Sequence, residues 1–207
     1  MTERVLVITG RVAPLDADDV DTDQIIPAQY LKVTEKKGLS RYLFYRWRYD
    51  DNGELTSRFV LDRPEFSGSA ILAAGRNFGI GSSRENAVWA LLDAGVKCVL
   101  ATSFGDIFYS NASRNGLLCV RLDQAVLSEV RSSASGGRLH ATVSLADLTL
   151  SCNGVIHRFQ LEPHIRERLM SGADDISLTL SNYEGEILGY EAKMQPYLKP
   201  RTQRPLS

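Results

Sequence analysis

The sequence predicts an α/β fold: one domain with a mostly parallel core sheet, helices between its strands, and antiparallel strands added at the C-terminal end. Three observations predict it. Between residues 68 and 122, apolar runs of strand length alternate with amphipathic stretches of helix length. Further on, Asn153-Gly154 separates two β-like segments and is the strongest short hairpin signal in the chain. A length of 207 residues with 43% apolar side chains is enough for one substantial core.

Each element follows from local chemistry. "RVLVIT" (4–9) has strand composition, and "PLDADDVDTDQIIP" (14–27) reads as a proline-bracketed loop. The basic-aromatic stretch 30–53 predicts a short helix near 38–45 and a turn at Asn52-Gly53. "GSAILAAG" (68–75) is a continuous apolar run, as in a buried strand. Ala87, Val88, Leu91 and Leu92 then recur at helical spacing, with Gly95 as the stop. "VKCVLAT" (96–102) and "LLCVRL" (117–122) predict two more buried strands. They flank a helix within 104–116 that turns Ile107 and Phe108 inward. This alternation implies parallel pairing through right-handed crossovers. "SSASGG" (132–137) has linker composition, and one or two helices are expected from about residue 162. Residues 1–196 are expected to form the single domain, with a loose Pro- and Arg-rich tail at 197–207.

Bulk properties exclude several classes. A net charge of −1 gives no basic stripe for nucleic acid. The longest apolar runs are about six residues, against the ~20 needed to span a bilayer, so no membrane role is expected. With no leader-like start, a soluble cytoplasmic protein is the expectation. Cys98, Cys119 and Cys152 are odd in number and lack a CxxC pair, and His140, His157 and His164 match no metal spacing. No metal ligand set is expected in this chain.

The stretch "GRNFGIGSSRENA" (75–87) follows a strand and opens a helix, where unpaired amides and the helix dipole favour an anion. It contains no lysine, so it is not a Walker A loop. The dinucleotide fingerprint fails because Arg84 stands at its third glycine and Thr102-Ser103 follow the next strand where an acid is required. Ser82-x-x-Glu85 has the pattern of a capping box. That reading leaves Arg84 unexplained, since a cation is disfavoured in the first turn. A guanidinium there suits a bidentate grip on a carboxylate, with Gly79 and Gly81 letting the backbone approach the ligand. A serine at the same positive end gains acidity. The constellation suits proton abstraction beside a substrate carboxylate. Upstream, Asp19-x-Asp21-x-Asp23 imitates a calcium loop, but Gln24 and Tyr30 occupy the required glycine and glutamate positions. The remaining reading is an Asp-rich turn that caps the next element.

Together with "DVDTDQIIPAQYLK" (19–32) and "SFGDIFYSNASRNGLL" (103–118), the glycine–serine stretch closely resembles the small subunits of 3-isopropylmalate dehydratases, the swivelling-domain half of the aconitase superfamily. The likeness runs in order along essentially the whole chain, down to "DDISLTL" and "YEAK". It implies a swivelling β/β/α domain and a hydro-lyase that interconverts 2- and 3-isopropylmalate through isopropylmaleate in leucine biosynthesis. It further implies a large-subunit partner carrying a 4Fe-4S cluster, so that this chain is active only in the assembled pair. By resemblance, Ser82 is the base that removes the carbon-bound proton, Ser83 and Arg84 contact the substrate carboxylate, and Lys32, in the Tyr30-Leu31-Lys32 tripeptide, belongs to the loop associated with isopropylmalate rather than homoaconitate selectivity. One position departs: the family usually has histidine where this chain has Asn86, read as a tuning change in the second turn of the helix. Two alternatives stay open at this point. One is a related hydratase subunit acting on citraconate or dimethylmaleate; the other is a non-catalytic regulatory subunit of the same fold.

Overall fold

A computed structural model describes residues 4–31, 37–50, 52–56, 59–172 and 175–194. Two compact units divide the chain, Met1–Gly172 and Ala173–Ser207. The first contains a seven-stranded sheet in the order β4-β3-β2-β1-β5-β6-β7. Its strands are β1 Val7–Pro14, β2 Ile71–Ala73, β3 Cys98–Ala101, β4 Leu118–Arg121, β5 His140–Ser144, β6 Thr149–Cys152 and β7 Val155–Arg158. Its helices are α1 Thr22–Ile25, α2 Tyr45–Arg48, α3 Glu85–Asp93, α4 Asp106–Asn115, α5 Gln124–Ala134 and α6 Pro163–Ser171.

The expected strand–helix order produces the parallel half. β2, β3 and β4 pair in parallel, with α3 and α4 as the crossovers. Their side chains are buried on both faces, save exposed Arg121 at the end of β4, which is why these runs are otherwise apolar. The added strands are antiparallel: β5 on β1, β6 on β5, and β7 on β6. The β6–β7 turn is Asn153-Gly154, with φ of 49° and 76°, the left-handed pair that a two-residue hairpin requires.

β1 joins the two halves. Val7–Arg11 pair antiparallel with β5, whereas Val12–Pro14 pair parallel with β2. The expectation of a strand over 4–9 therefore stops too early. Gly10 lies mid-strand, where a Cβ would sit 2.7 Å from the Cβ of Ala70.

Four further expectations are corrected. The segment 14–27 contains α1, and the helix sought near 38–45 is instead a 3₁₀ turn at Ser40–Tyr42 followed by the four-residue α2. Ile107 is 48% exposed and only Phe108 turns inward, since adjacent helix positions diverge by about 100°. Residues 132–134 of the linker-like stretch complete α5, with Leu127, Val130 and Ala134 buried on one face at spacings of three and four.

The second unit is described from α7, Asp175–Lys193, which is broken at Tyr183 (φ −121°, ψ 15°). Residues 197–207, the expected tail, lie outside the described residues. No helix among those described is long and apolar enough to cross a membrane.

Candidate active site

The glycine–serine stretch is less a loop than a continuation of the sheet beyond the ends of β1, β2 and β3. On one side Gly75 N–H donates to Ala17 O (3.0 Å), Gly79 N–H to Val20 O (2.7 Å) and Thr22 N–H to Ile80 O (2.9 Å). On the other, Phe78 N–H donates to Ser103 O (3.0 Å) and Gly105 N–H to Phe78 O (2.9 Å). Isolated bridges Asp21–Ile80 and Phe78–Phe104 complete this three-lane arrangement. Ser82 is therefore delivered from a backbone held on both sides.

The glycines serve different ends than expected. Gly79 (φ 77°) is required by packing, since a Cβ would lie 2.3 Å from Cγ of buried Phe108. Gly81 (φ 98°) has room for a Cβ and is required by its backbone conformation.

The capping box is also displaced. α3 begins at Glu85 with Arg84 as N-cap, extended and without a side-chain cap bond. Ser82 lies outside it, and the Glu85 carboxylate accepts from Asn115 Nδ2 at 2.7 Å. The box forms instead at Asp21, in the acidic segment. Its Oδ1 accepts from Gln24 N–H (2.7 Å), and Gln24 Oε1 accepts from Asp21 N–H (2.8 Å). An Asp-rich turn that caps the next element is what the structure contains.

Ser82 and Ser83 are exposed. The Ser82 hydroxyl has no hydrogen-bond partner among the described residues, while its carbonyl accepts from Thr22 Oγ1 at 3.1 Å. Arg84 is largely buried, its side chain 13% exposed. Its Nη1 pairs with Asp23 Oδ1 and also reaches Ile26 O at 3.5 Å. This leaves the Nε–Nη2 edge without a partner among the described residues, and that edge is the geometry a carboxylate takes bidentately. The Arg84 hydrogen bond holds the Asp23 carboxyl below its ordinary range, and Asp23 Oδ1 also accepts from Ala28 N–H at 3.2 Å. Asp23 was legible in the sequence only as part of an acidic turn; its place in the site comes from α1 folding back onto the strand–helix junction.

Two more residues escaped the sequence reading, Asn77 and Ser103, which tie the stretch laterally. Asn86 falls in the first turn of α3, not the second, because the helix starts at Glu85. Lys32 lies outside the described residues, so the structure does not place it.

The site is open. Cavities of about 920, 590 and 450 Å³ lie elsewhere on the described residues, and none is lined by Ser82, Ser83 or Arg84.

A 4Fe-4S cluster finds no fit among the described residues. Cys98, Cys119 and Cys152 lie buried in three different strands. Burial pushes the Cys98 and Cys119 thiols well up, the opposite of the thiolate a cluster needs. Among the described residues no group of three or more His, Cys, Asp or Glu side chains could hold a metal ion.

Comparison with known proteins decides the family. The aconitase C-terminal domain matches residues 2–125. A 3-isopropylmalate dehydratase small subunit of Oceanobacillus iheyensis is 46% identical over 185 residues, covering 89% of this chain and 95% of that one. The chain belongs to the 3-isopropylmalate dehydratase small-subunit family. A small subunit of Streptomyces griseus is likewise 46% identical, over 94% of this chain and 95% of its own. The crystal structure of a 3-isopropylmalate dehydratase from Methanocaldococcus jannaschii superposes with a TM-score of 0.61 at 25% identity, covering 91% of this chain and 99% of that one. The small-subunit family thus accounts for the fold seen here, its mixed sheet included. These relatives are named for 3-isopropylmalate, which does not favour the citraconate or dimethylmaleate alternative.

Proposed function

We propose that this chain is the proton-abstracting half-site of a hydro-lyase that interconverts 2- and 3-isopropylmalate through isopropylmaleate in leucine biosynthesis. The observation that carries the reading is the pairing of an exposed, uncapped Ser82 with an oriented, half-committed Arg84 at the start of α3.

Dehydration of a hydroxy-diacid removes a carbon-bound proton and expels hydroxide, so it requires a base and a Lewis acid. The 4Fe-4S cluster of the large subunit supplies the Lewis acid when the two chains are assembled. This chain supplies the rest. The free edge of Arg84 takes one substrate carboxylate through two parallel N–H···O bonds, and Ser83 adds a hydroxyl contact. That grip fixes the adjacent C–H bond against Ser82, whose oxygen accepts the proton. The guanidinium of Arg84, two residues on, stabilises the negative oxygen before transfer. Lys32, on the segment after Tyr30, bears on which dicarboxylate is accepted.

The open site supports dependence on a partner: a surface without walls does not exclude water from the reacting carbon. The test is reconstitution. Purified anaerobically and alone, the chain is expected to hold no stoichiometric iron or sulfide and to leave isopropylmalate unchanged; turnover is expected on adding a cluster-loaded large subunit. Appreciable turnover by the lone chain would overturn the half-site assignment.

A further inference from the structure

We infer that Asn77 is a positioning residue for this reaction, aiming Ser82 by locking together the ends of three strands; the inference rests on the reading of Ser82 as the base. Asn77 is the second residue after Gly75, where the chain leaves β2, and five residues before Ser82. Its backbone is left-handed, φ 53°, a conformation that asparagine tolerates better than other side chains with a Cβ. Directly across from it Asp19 is also left-handed, φ 54°, and Asp19 N–H donates to Arg76 O at 2.9 Å. Two such residues facing each other beside a site mark a backbone held there by its surroundings.

The surroundings are specific. Asn77 uses both ends of its amide. Nδ2 donates to Asp19 Oδ1 at 2.7 Å, on the segment after β1. Oδ1 accepts from Ser103 Oγ at 2.9 Å, on the segment after β3. Ser103 Oγ in turn accepts from Asn77 N–H at 2.8 Å. With Nδ2 on the Asp19 carboxylate and Oδ1 on the Ser103 hydroxyl, the amide orientation is fixed; turned over, its oxygen would face the Asp19 carboxylate. The hydrogen bond from Asn77 is the leading cause that holds the Asp19 carboxyl below its ordinary range, with Arg76 Nη2 adding a bond at 3.0 Å.

This clamp sets the course of the chain from Asn77 to Ser82. Phe78, the next residue, is fully buried against Phe108 (5.4 Å, edge-on), the backbone of Phe78, Gly79 and Ile80 is paired, and after Gly81 the Ser82 carbonyl is held by Thr22 Oγ1 at 3.1 Å. A rotation at Asn77 therefore displaces Ser82 and Arg84 together relative to α1. Misplacement of a reacting group by about 1 Å costs on the order of 100-fold in rate. Asn77 touches no reacting atom; it acts through the backbone.

Four variants test this in the reconstituted enzyme. Asn77→Gly keeps the left-handed backbone and removes both side-chain bonds. Asn77→Asp keeps the shape and sets two carboxylates against each other. Asp19→Asn with Asn77→Asp exchanges donor and acceptor and restores the pair. Ser82→Ala is measured in parallel. The expectation is that Asn77→Gly and Asn77→Asp lower kcat about 10- to 100-fold in protein that still melts cooperatively, with KM for isopropylmalate changed far less, and that the exchange recovers most of the loss of Asn77→Asp. Amide exchange of Phe78 and Gly79 in the lone chain is expected to speed up in Asn77→Gly. Wild-type kcat in Asn77→Gly beside an inactive Ser82→Ala overturns the positioning role alone, as does an exchange that rescues nothing. A fully active Ser82→Ala overturns the base reading first, and this inference with it.

Discussion

Replacing Arg84 with lysine separates a substrate grip from a merely structural ion pair. In the structure Arg84 spends one nitrogen on Asp23 and Ile26 O and leaves the Nε–Nη2 edge unpaired. Lysine has one nitrogen in place of three, and the Asp23 carboxylate competes for it. At least one charge-assisted bond to the substrate is then lost, about 1.5–3 kcal/mol. At ~1.4 kcal/mol per factor of ten, KM for isopropylmalate is expected to rise about 10- to 100-fold. Stability should fall by much less, because Asp23 is partly exposed and keeps a cation beside it, so a loss of about 1 kcal/mol or below is expected. The assay is steady-state kinetics of the reconstituted pair alongside thermal melts of the lone chain. A variant with wild-type KM and kcat but a lowered melting temperature would show that Arg84 serves the fold and not the substrate, and the grip would have to be abandoned.

Two other outcomes are expected of the neighbouring residues. The Asp23 carboxyl is depressed by Arg84, so its contribution to stability is fully present above its unfolded pKa, about 3.9, and is lost as pH falls through the lower folded value; melting temperature should be insensitive to this pair near neutrality, and Asp23→Asn should flatten part of the decline below about pH 4, whereas an unchanged slope would contradict the pairing. Lys32 is expected to bear on substrate choice, so grafting a homoaconitase-type sequence onto residues 28–37 should shift the ratio of kcat/KM for isopropylmalate over homoaconitate; an unchanged ratio would place selectivity in the large subunit.

Much of this architecture could be read from the chain because local and global preferences agree there. The buried strands of the parallel half are apolar save Arg121 at the end of β4, and Asn153-Gly154 admits little besides a tight hairpin. Errors arose where long-range contact overrides local chemistry. Gly10 adds no strand preference of its own, yet it lies mid-strand, where Ala70 approaches it closely. Ser132–Ala134 look like a linker yet stay helical because Val130 and Ala134 bury the same face of α5. At the candidate site, Ser82 and Arg84 stood out from the strand–glycine–helix context and from the family resemblance, whereas the residues that hold them could not be read from the chain. Asp23 lies 61 residues from Arg84 in the chain, and Ser103 lies 26 from Asn77. Such partners carry no periodicity or motif; they meet only because the ends of β1, β2 and β3 lie side by side. The capping box shows the converse failure. Two segments carry the pattern; the one at Asp21 forms because α1 starts right after it, whereas α3 starts at Glu85 with Arg84 as its N-cap and leaves Ser82 outside the helix.

The most direct measurement of the central claim is turnover of the Ser82→Ala enzyme. Because Ser82 is exposed and caps no helix, its loss should leave the lone chain's stability within about 0.5 kcal/mol of the wild type. Loss of a general base costs about 10²- to 10⁴-fold in rate. Paired with a cluster-loaded large subunit, the variant is therefore expected to bind isopropylmalate with near-normal affinity, to melt as the wild type does, and to turn over at least ~100-fold more slowly. A folded, assembled Ser82→Ala enzyme working at the wild-type rate would contradict the assignment of proton abstraction to this chain.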